Sequence, residues 1–255
     1  MVDLPLVIFF ALIGGVVSLI GGVTLLAKKE WSDGLAKYAT PFAAGALLSA
    51  AFVDLLGEAD HEGDIEKALL GALAGILVFF ILEQLIHWFH HHKYGSPENA
   101  HDKDAKIPLI VIGDTLHNFI DGIAIAGAFL VSPATGITVT LAVALHEIPQ
   151  EIGDFGLLLS KGLRRSKVLL VNFLSALATV AAAVIFFIIG QNFAMPLDVV
   201  LGLAAGFFIY IAVSDIIPDI HANQDRKLAS IQSILLVFGV IIVTLATKSL
   251  HGFIE

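Results

Sequence analysis

The sequence predicts an all-α integral membrane protein with eight transmembrane helices. Three observations predict it. Hydrophobic residues make up 57% of the chain and charged residues only 15%, against about 45–50% and about 25% in soluble domains. Mean hydropathy is +0.90, and the apolar residues fall in runs of about 20, the length that crosses a hydrocarbon core. The loops between the runs alternate between basic and acidic or neutral.

The expected spans, in order, are Leu4–Ala27, Tyr38–Leu56, Ala68–Phe89, Ile107–Val131, Ala134–Ser160, Val168–Gly190, Leu197–Ile217 and Leu228–Thr247. Together they form a single transmembrane domain over residues 1–255. The first begins at Met1-Val2-Asp3-Leu4-Pro5, without the basic start and small-residue cleavage site of a secretory signal, so it is expected to be retained. Glycines recur inside the spans at Gly14-Gly15, Gly21-Gly22, Gly71, Gly75 and Gly202. Small residues let membrane helices approach closely.

Twelve of the 14 basic residues lie in or beside the loops after spans 1, 3, 5 and 7. These include Lys28 and Lys29, Lys93 and Lys103, Lys161 and Arg164, and Arg226 and Lys227. The positive-inside rule puts those loops in the cytoplasm and both termini outside. The expected location is a prokaryotic plasma membrane. The outer loop after span 2 carries Glu58, Asp60, His61, Glu62, Asp64 and Glu66. It reads as a solvated loop or as a cation-attracting mouth, since clustered negative charge raises local cation concentration. A net charge of −9 excludes nucleic acid as a partner.

An internal repeat is expected. Ala43-Ala44-Gly45 with Asp54 and Glu58 in span 2 matches Ala204-Ala205-Gly206 with Asp215 and Asp219 in span 7, at a constant offset of 161. If spans 1–3 correspond to spans 6–8, each unit is odd in number and the second must be inverted in the membrane. Spans 4 and 5 then sit between the halves.

Those two spans carry ionisable residues that would be costly at membrane depth, which marks a functional site. His117 and Asp121 are four apart on span 4, with Asn118 beside them and Asp114 extending the stripe. On span 5, His146 and Gln150 are four apart, as are Glu147 and Glu151, and Asp154 follows. Residues four apart share a helix face. Facing stripes offer imidazole nitrogen from His117 and His146, carboxylate from Asp121 and Glu147, and amide oxygen from Asn118 and Gln150. Mixed nitrogen and oxygen donors suit zinc, iron, manganese, cobalt or nickel. Pro149 should disturb the helix and can free a carbonyl toward a polar cavity.

With no cysteine in the chain, thiolate sites and disulfides are excluded. His146-Glu147 opens a zincin-like string, but Gln150 stands where the second histidine belongs, so no enzyme and no catalytic cofactor is expected. The alternatives to a transporter are an intramembrane metal-dependent hydrolase and a membrane metal sensor. A sensor would signal through the inner loop at about 90–106, near which His87, His90, His91, His92 and His101 cluster. Such a tract binds metal or is a tolerated polar helix end.

The strings His-Asn-Phe-Ile-Asp-Gly at 117–122 and His-Glu-Ile-Pro-Gln-Glu-Ile-Gly-Asp-Phe at 146–155 resemble the helix 4 and helix 5 motifs of the ZIP (Zrt/Irt-like) metal-ion transporters. The Ala-Ala-Gly…Asp segments and the His-bearing inner loop are similar too. The resemblance implies transport of divalent metal, zinc first and cadmium among the others, into the cytoplasm by alternating access. It also implies a homodimer in the lipid bilayer and a binuclear metal centre. The first site would use His117, Asp121, His146 and residue 150; the second would use Asn118, Glu147 and residue 150 again. Gln150 is neutral where several members carry His or Glu, so it would be a weaker ligand than those.

Overall fold

The computed structural model describes the backbone of residues 2–27, 29–92, 102–193 and 195–254. It describes their side chains apart from 29–36, 61–62, 86–92, 102–106, 109, 160, 215, 219 and 251–254. The histidine tract, His61, Asp215 and Asp219 therefore fall outside the described side chains.

The described residues are helical almost throughout. The first apolar run is broken: α1 spans Leu4–Gly14, a 3₁₀ turn covers Val17–Leu19, and α2 spans Ile20–Ala27. Asp3 caps α1, its side chain accepting from the Leu6 N–H at 3.1 Å. The break follows the Gly14-Gly15 pair, where two successive residues with high backbone freedom weaken a helix. Next come α3 (Lys29–Ser49), a π-helical turn at Ala50–Leu55 and α4 (Leu56–Glu62). They are followed by α5 (Ile65–His92), α6 (Asp102–Val131), α7 (Pro133–Ser160) and α8 (Arg165–Asn192). The chain closes with α9 (Leu197–Ile211), a second π turn at Ala212–Ile216, α10 (Ile217–Ala222) and α11 (Arg226–Ile254). The two π turns fall at matching places in the pair of segments that share the 161-residue offset.

Among the described residues, six stretches are long and apolar enough to cross a membrane by length and composition: Leu4–Ala27, Lys37–Asp60, Ile65–Leu85, Arg165–Asn192, Leu197–Ser214 and Arg226–Leu250. Helices α6 and α7, of 30 and 28 residues, also have the length, but they carry more ionisable side chains, His117, Asp121, His146, Glu147 and Glu151 among them. They form a tight antiparallel hairpin. Ser132 caps α7 through a bond from the Thr135 N–H (3.1 Å), and Pro133 starts the helix where its missing N–H costs nothing.

Side-chain sizes are sorted inside out relative to a soluble protein. Many large apolar residues face outward, among them Phe9, Phe52, Leu174 and Ile234, while alanines such as Ala44, Ala51, Ala126 and Ala205 share the interior with Phe129, Phe155, Phe187 and Phe208. Lipid removes the incentive to bury large apolar groups, so close backbone packing decides which helices meet. Helix α5 lies against α9: Gly202 faces the Ala68 carbonyl, Gly206 the Ala72 carbonyl and Gly75 the Leu203 carbonyl. Helix α3 meets α11 in the same way, with Gly45 against Leu236 and Gly239 against Phe42. The α6–α7 hairpin is held by α8 and by the broken first run. Gly122 abuts the Thr179 carbonyl, and Gly21 abuts the Ile148 carbonyl. That last contact fixes α7 at the residue between Glu147 and Pro149.

Candidate metal centre

Because α6 and α7 run antiparallel from the cap at Ser132, their polar stripes descend side by side. The stripe on α6 brings in His117 and Asp121; the stripe on α7 brings in His146 and Glu147. One donor atom from each of the four lies within 4.8 Å of all the others. The two imidazole Nε2 atoms are 3.1 Å apart. His117 Nε2 is 3.4 Å from Glu147 Oε1 and 3.8 Å from Asp121 Oδ2. His146 Nε2 is 3.3 Å from Asp121 Oδ2 and 3.7 Å from Glu147 Oε1. Tetrahedral zinc with bonds of about 2.0–2.1 Å separates its ligand atoms by about 3.3–3.4 Å, so the five distances bracket the edge of such a cage.

The donors are oriented as well as gathered. His146 Nδ1 lies 3.1 Å from the Ala142 carbonyl. A carbonyl only accepts, so Nδ1 is the donor there and Nε2 is the atom turned to the cluster. Phe79 meets the His117 ring edge-on at 5.9 Å, and Phe208 meets the His146 ring at 6.0 Å. These rings, from α5 and α9, wall the apolar side. Asp121 and Glu147 are fully buried, and none of their four carboxylate oxygens has a hydrogen-bond partner among the described residues. A buried carboxylate without partners is costly. Two carboxylates and two imidazoles gathered in one buried cluster are a donor set that suits a divalent transition-metal cation.

Of the six donors expected from sequence, four meet in this cluster. The fourth member is Glu147, where the family resemblance puts residue 150 in the first site. Asn118 points elsewhere: its amide donates to Asp114 Oδ1 at 3.0 Å, and its oxygen accepts from Thr179 Oγ1 at 2.8 Å. Gln150 is half-buried and lines a cavity of about 550 Å³ together with His117 and His146. Pro149 lines it too; α7 passes through Pro149 without a break, and the missing N–H deprives the Leu145 carbonyl of its helical donor. The cavity continues past Asp154, Glu83, Thr40 and Gln232, toward the end of the bundle that holds the Lys161–Arg165 connection.

Several residues of the site carry no motif. Thr179 on α8 and the aromatic pair Phe79 and Phe208 are among them. Glu83 on α5, which accepts a hydrogen bond from the Tyr210 hydroxyl, is another. The available signal for Glu83 is a lone carboxylate in an otherwise apolar run. Asp54, in the first π turn, accepts from Thr138 Oγ1 of α7 at 3.0 Å, which ties the repeated segment to the hairpin.

Comparison with known proteins bears on this arrangement. The metal cation symporter ZIP8 of Rattus norvegicus is 35% identical over 125 residues, 49% of this chain and 27% of that protein. The metal cation symporter ZIP14 of Bos taurus is 31% identical over 178 residues, 68% of this chain and 34% of that protein. The zinc transporter ZIP4 of Mus musculus is 39% identical over 119 residues, 47% of this chain and 18% of that protein. The chain thus spans about a third or less of the length of these relatives. The profile described as ZIP Zinc transporter matches residues 107–247, a stretch that is more than half of the chain and contains both helices of the four-donor cluster. On that match the chain belongs to the ZIP zinc transporter family.

Proposed function

We propose that this protein carries divalent transition-metal ions, zinc first, across a plasma membrane into the cytoplasm. The observation that carries the reading is the cluster of His117, Asp121, His146 and Glu147, whose donor atoms all lie within 4.8 Å of one another and whose imidazole nitrogens are 3.1–3.8 Å from each other and from the carboxylates. The names of the relatives, zinc transporters and metal cation symporters, support a metal cargo.

The reading has eight transmembrane helices in one domain, with α6 and α7 as the fourth and fifth, and both termini outside. The first three and last three spans are an inverted repeat; the matched π turns and the paired α3–α11 and α5–α9 contacts support it. The cavity beside the cluster lies toward the basic-loop end, which the positive-inside rule makes cytoplasmic. This arrangement is therefore the inward-facing one, and alternating access requires a second arrangement that reaches the cluster from the side of Asp54 and Thr138. A second ion beside the first, bridged by Glu147 and reaching Asn118 and Gln150, requires Asn118 Oδ1 to exchange its bond from Thr179 for the metal. Neutral Gln150 at the cavity side lowers the charge an ion must leave behind. Homodimerisation rests on the family resemblance and is read by crosslinking in native membranes.

The deciding experiment is flux of Zn²⁺, Fe²⁺, Mn²⁺, Co²⁺, Ni²⁺ and Cd²⁺ into proteoliposomes, with and without a pH gradient. Wild type moves at least zinc; His117→Ala and His146→Ala move none while inserting normally. Unchanged flux in both variants sinks the assignment. Hydrolytic turnover without flux would replace it by the metallohydrolase, and tight binding without flux by the sensor.

A further inference from the structure

Helix α6 presents two polar stripes side by side. His117 and Asp121 form one, turned to α7. Thr115, Asn118 and Gly122 form the other, at intervals of three and four, the spacing that shares a helix face. This second stripe is turned to α8. Thr115 Oγ1 lies 3.1 Å from Ser175 Oγ, Asn118 Oδ1 accepts from Thr179 Oγ1 at 2.8 Å, and Gly122 abuts the Thr179 carbonyl and the Ala182 side chain. Ser175, Thr179 and Ala182 repeat the spacing on α8, so Asn118 is one step of a continuous α6–α8 seam. Asn118 and Thr179 are fully buried. Asn118 Nδ2 donates to the Asp114 carbonyl at 3.2 Å and to Asp114 Oδ1 at 3.0 Å. A carbonyl only accepts, so the amide cannot turn end for end without losing that bond. Its oxygen is thereby held toward Thr179, whose side chain is boxed from behind: a Cβ on Gly15 would come within 2.9 Å of Thr179 Cβ. Gln150, the other amide expected beside a second ion, opens on the cavity. Glu147 already stands in the four-donor cluster. A second divalent ion would bring two charges and find no further carboxylate in that donor set, at a depth where like charges repel strongly.

We propose that Asn118 is a brace of the α6–α8 seam and not a metal ligand, and that the centre takes a single divalent ion on His117, Asp121, His146 and Glu147. The inference rests on the metal-transport reading for its cargo and fixes the number of ions the centre holds at once. It also gives two adjacent residues different work. His117 meets the cargo, while Asn118 ties α6 to α8, a helix that contributes no donor to the cluster.

Zn²⁺ is the probe, titrated into the purified full-length protein in lipid nanodiscs. Bound zinc is counted per chain by elemental analysis, and X-ray absorption reads the coordination. Removing the cluster by His117→Ala/His146→Ala lowers the count by one. The wild-type spectrum shows no zinc–zinc scattering at the separation of about 3.5–4 Å found in two-metal sites. Asn118→Ala melts earlier than wild type in the metal-free state and binds as many ions as wild type. A count that falls by two in the double histidine variant overturns the single-ion centre, and so does zinc–zinc scattering in wild type. The wild-type spectrum decides even where the alanine variant fails to fold. Wild-type flux in proteoliposomes separates the two claims: flux with two ions at the centre removes the single-ion inference alone, and no flux removes the transport reading.

Discussion

His117 and His146 face each other across the α6–α7 hairpin with their Nε2 atoms 3.1 Å apart. On a single tetrahedral zinc ion two imidazole nitrogens sit about 3.3 Å apart, so binding needs a shift of a few tenths of an ångström. The hairpin cap at Ser132 sets the register of α7, and the Nδ1 bond to Ala142 sets the plane of the His146 ring.

Zinc should therefore stabilise the fold. At a free concentration about 100 times Kd, a ligand that binds only the folded state adds about 2.7 kcal/mol. Thermal unfolding in detergent with and without Zn²⁺ should show that gain in wild type and lose it in His117→Ala and in His146→Ala.

The same gain should shrink as pH falls. The cluster binds metal through deprotonated imidazoles and carboxylates, so binding releases protons and acid competes with the ion. Repeating the unfolding series at successively lower pH should give a falling zinc-induced shift; a shift that grows with acidity would contradict the donor set.

Two glycines, one packed against α7 and one on its open face, should respond oppositely to alanine. A Cβ on Gly21 would run into the Ile148 carbonyl, whereas a Cβ on Gly153 meets nothing within 4 Å. Gly21→Ala should cost about 1–3 kcal/mol by overpacking and reduce metal affinity through displacement of Glu147. Gly153→Ala should gain up to about 1 kcal/mol from helix propensity. Unfolding midpoints and zinc titrations of the two variants check both.

Thr138→Val removes the hydroxyl that donates to Asp54 at 3.0 Å while keeping the shape. Loss of a buried bond to a carboxylate should lower stability by about 1–3 kcal/mol. The double variant Thr138→Val/Asp54→Asn should lose less than the sum of its parts, as expected of residues in contact.

The absence of cysteine makes topology directly readable. A cysteine replacing exposed Arg164 should react with a membrane-impermeant thiol reagent only from the cytoplasmic side. One replacing exposed Lys67 should react only from outside. Labelling of both from the same face would refute the proposed orientation.

Much of this was legible in the residues because membrane sequences state their costs openly. The predicted apolar segments lie in helix apart from the break after Gly14 in the first, since a backbone in hydrocarbon has few other ways to satisfy itself. His117, Asp121, His146 and Glu147 stand out as expensive side chains at helical spacing. Helix breaks and long-range partners are harder to read. The break after Gly14-Gly15 depends on how α1 and α2 pack on the hairpin. Thr179 and Thr138 look like ordinary small polar residues until the fold sets them against Asn118 and Asp54. Spacing also could not say which of Glu147 and Gln150 would complete the cage, because both lie within about one turn of His146 and the azimuth of α7 decides.

The π turns at Ala50–Leu55 and Ala212–Ile216 each spend one more residue than an α-helix would on the same turn. They hold a spare residue each. Excising one residue from the first would restore ordinary winding and leave the helix on either side in nearly its present phase, because the extra residue adds no extra turn. The change would be local: the side chains inside the turn would be re-aimed, and Asp54 would leave Thr138 with no side chain exchanged. Length at these places sets where the Asp54 carboxylate points, whereas the packing of the flanking helices is left as it was.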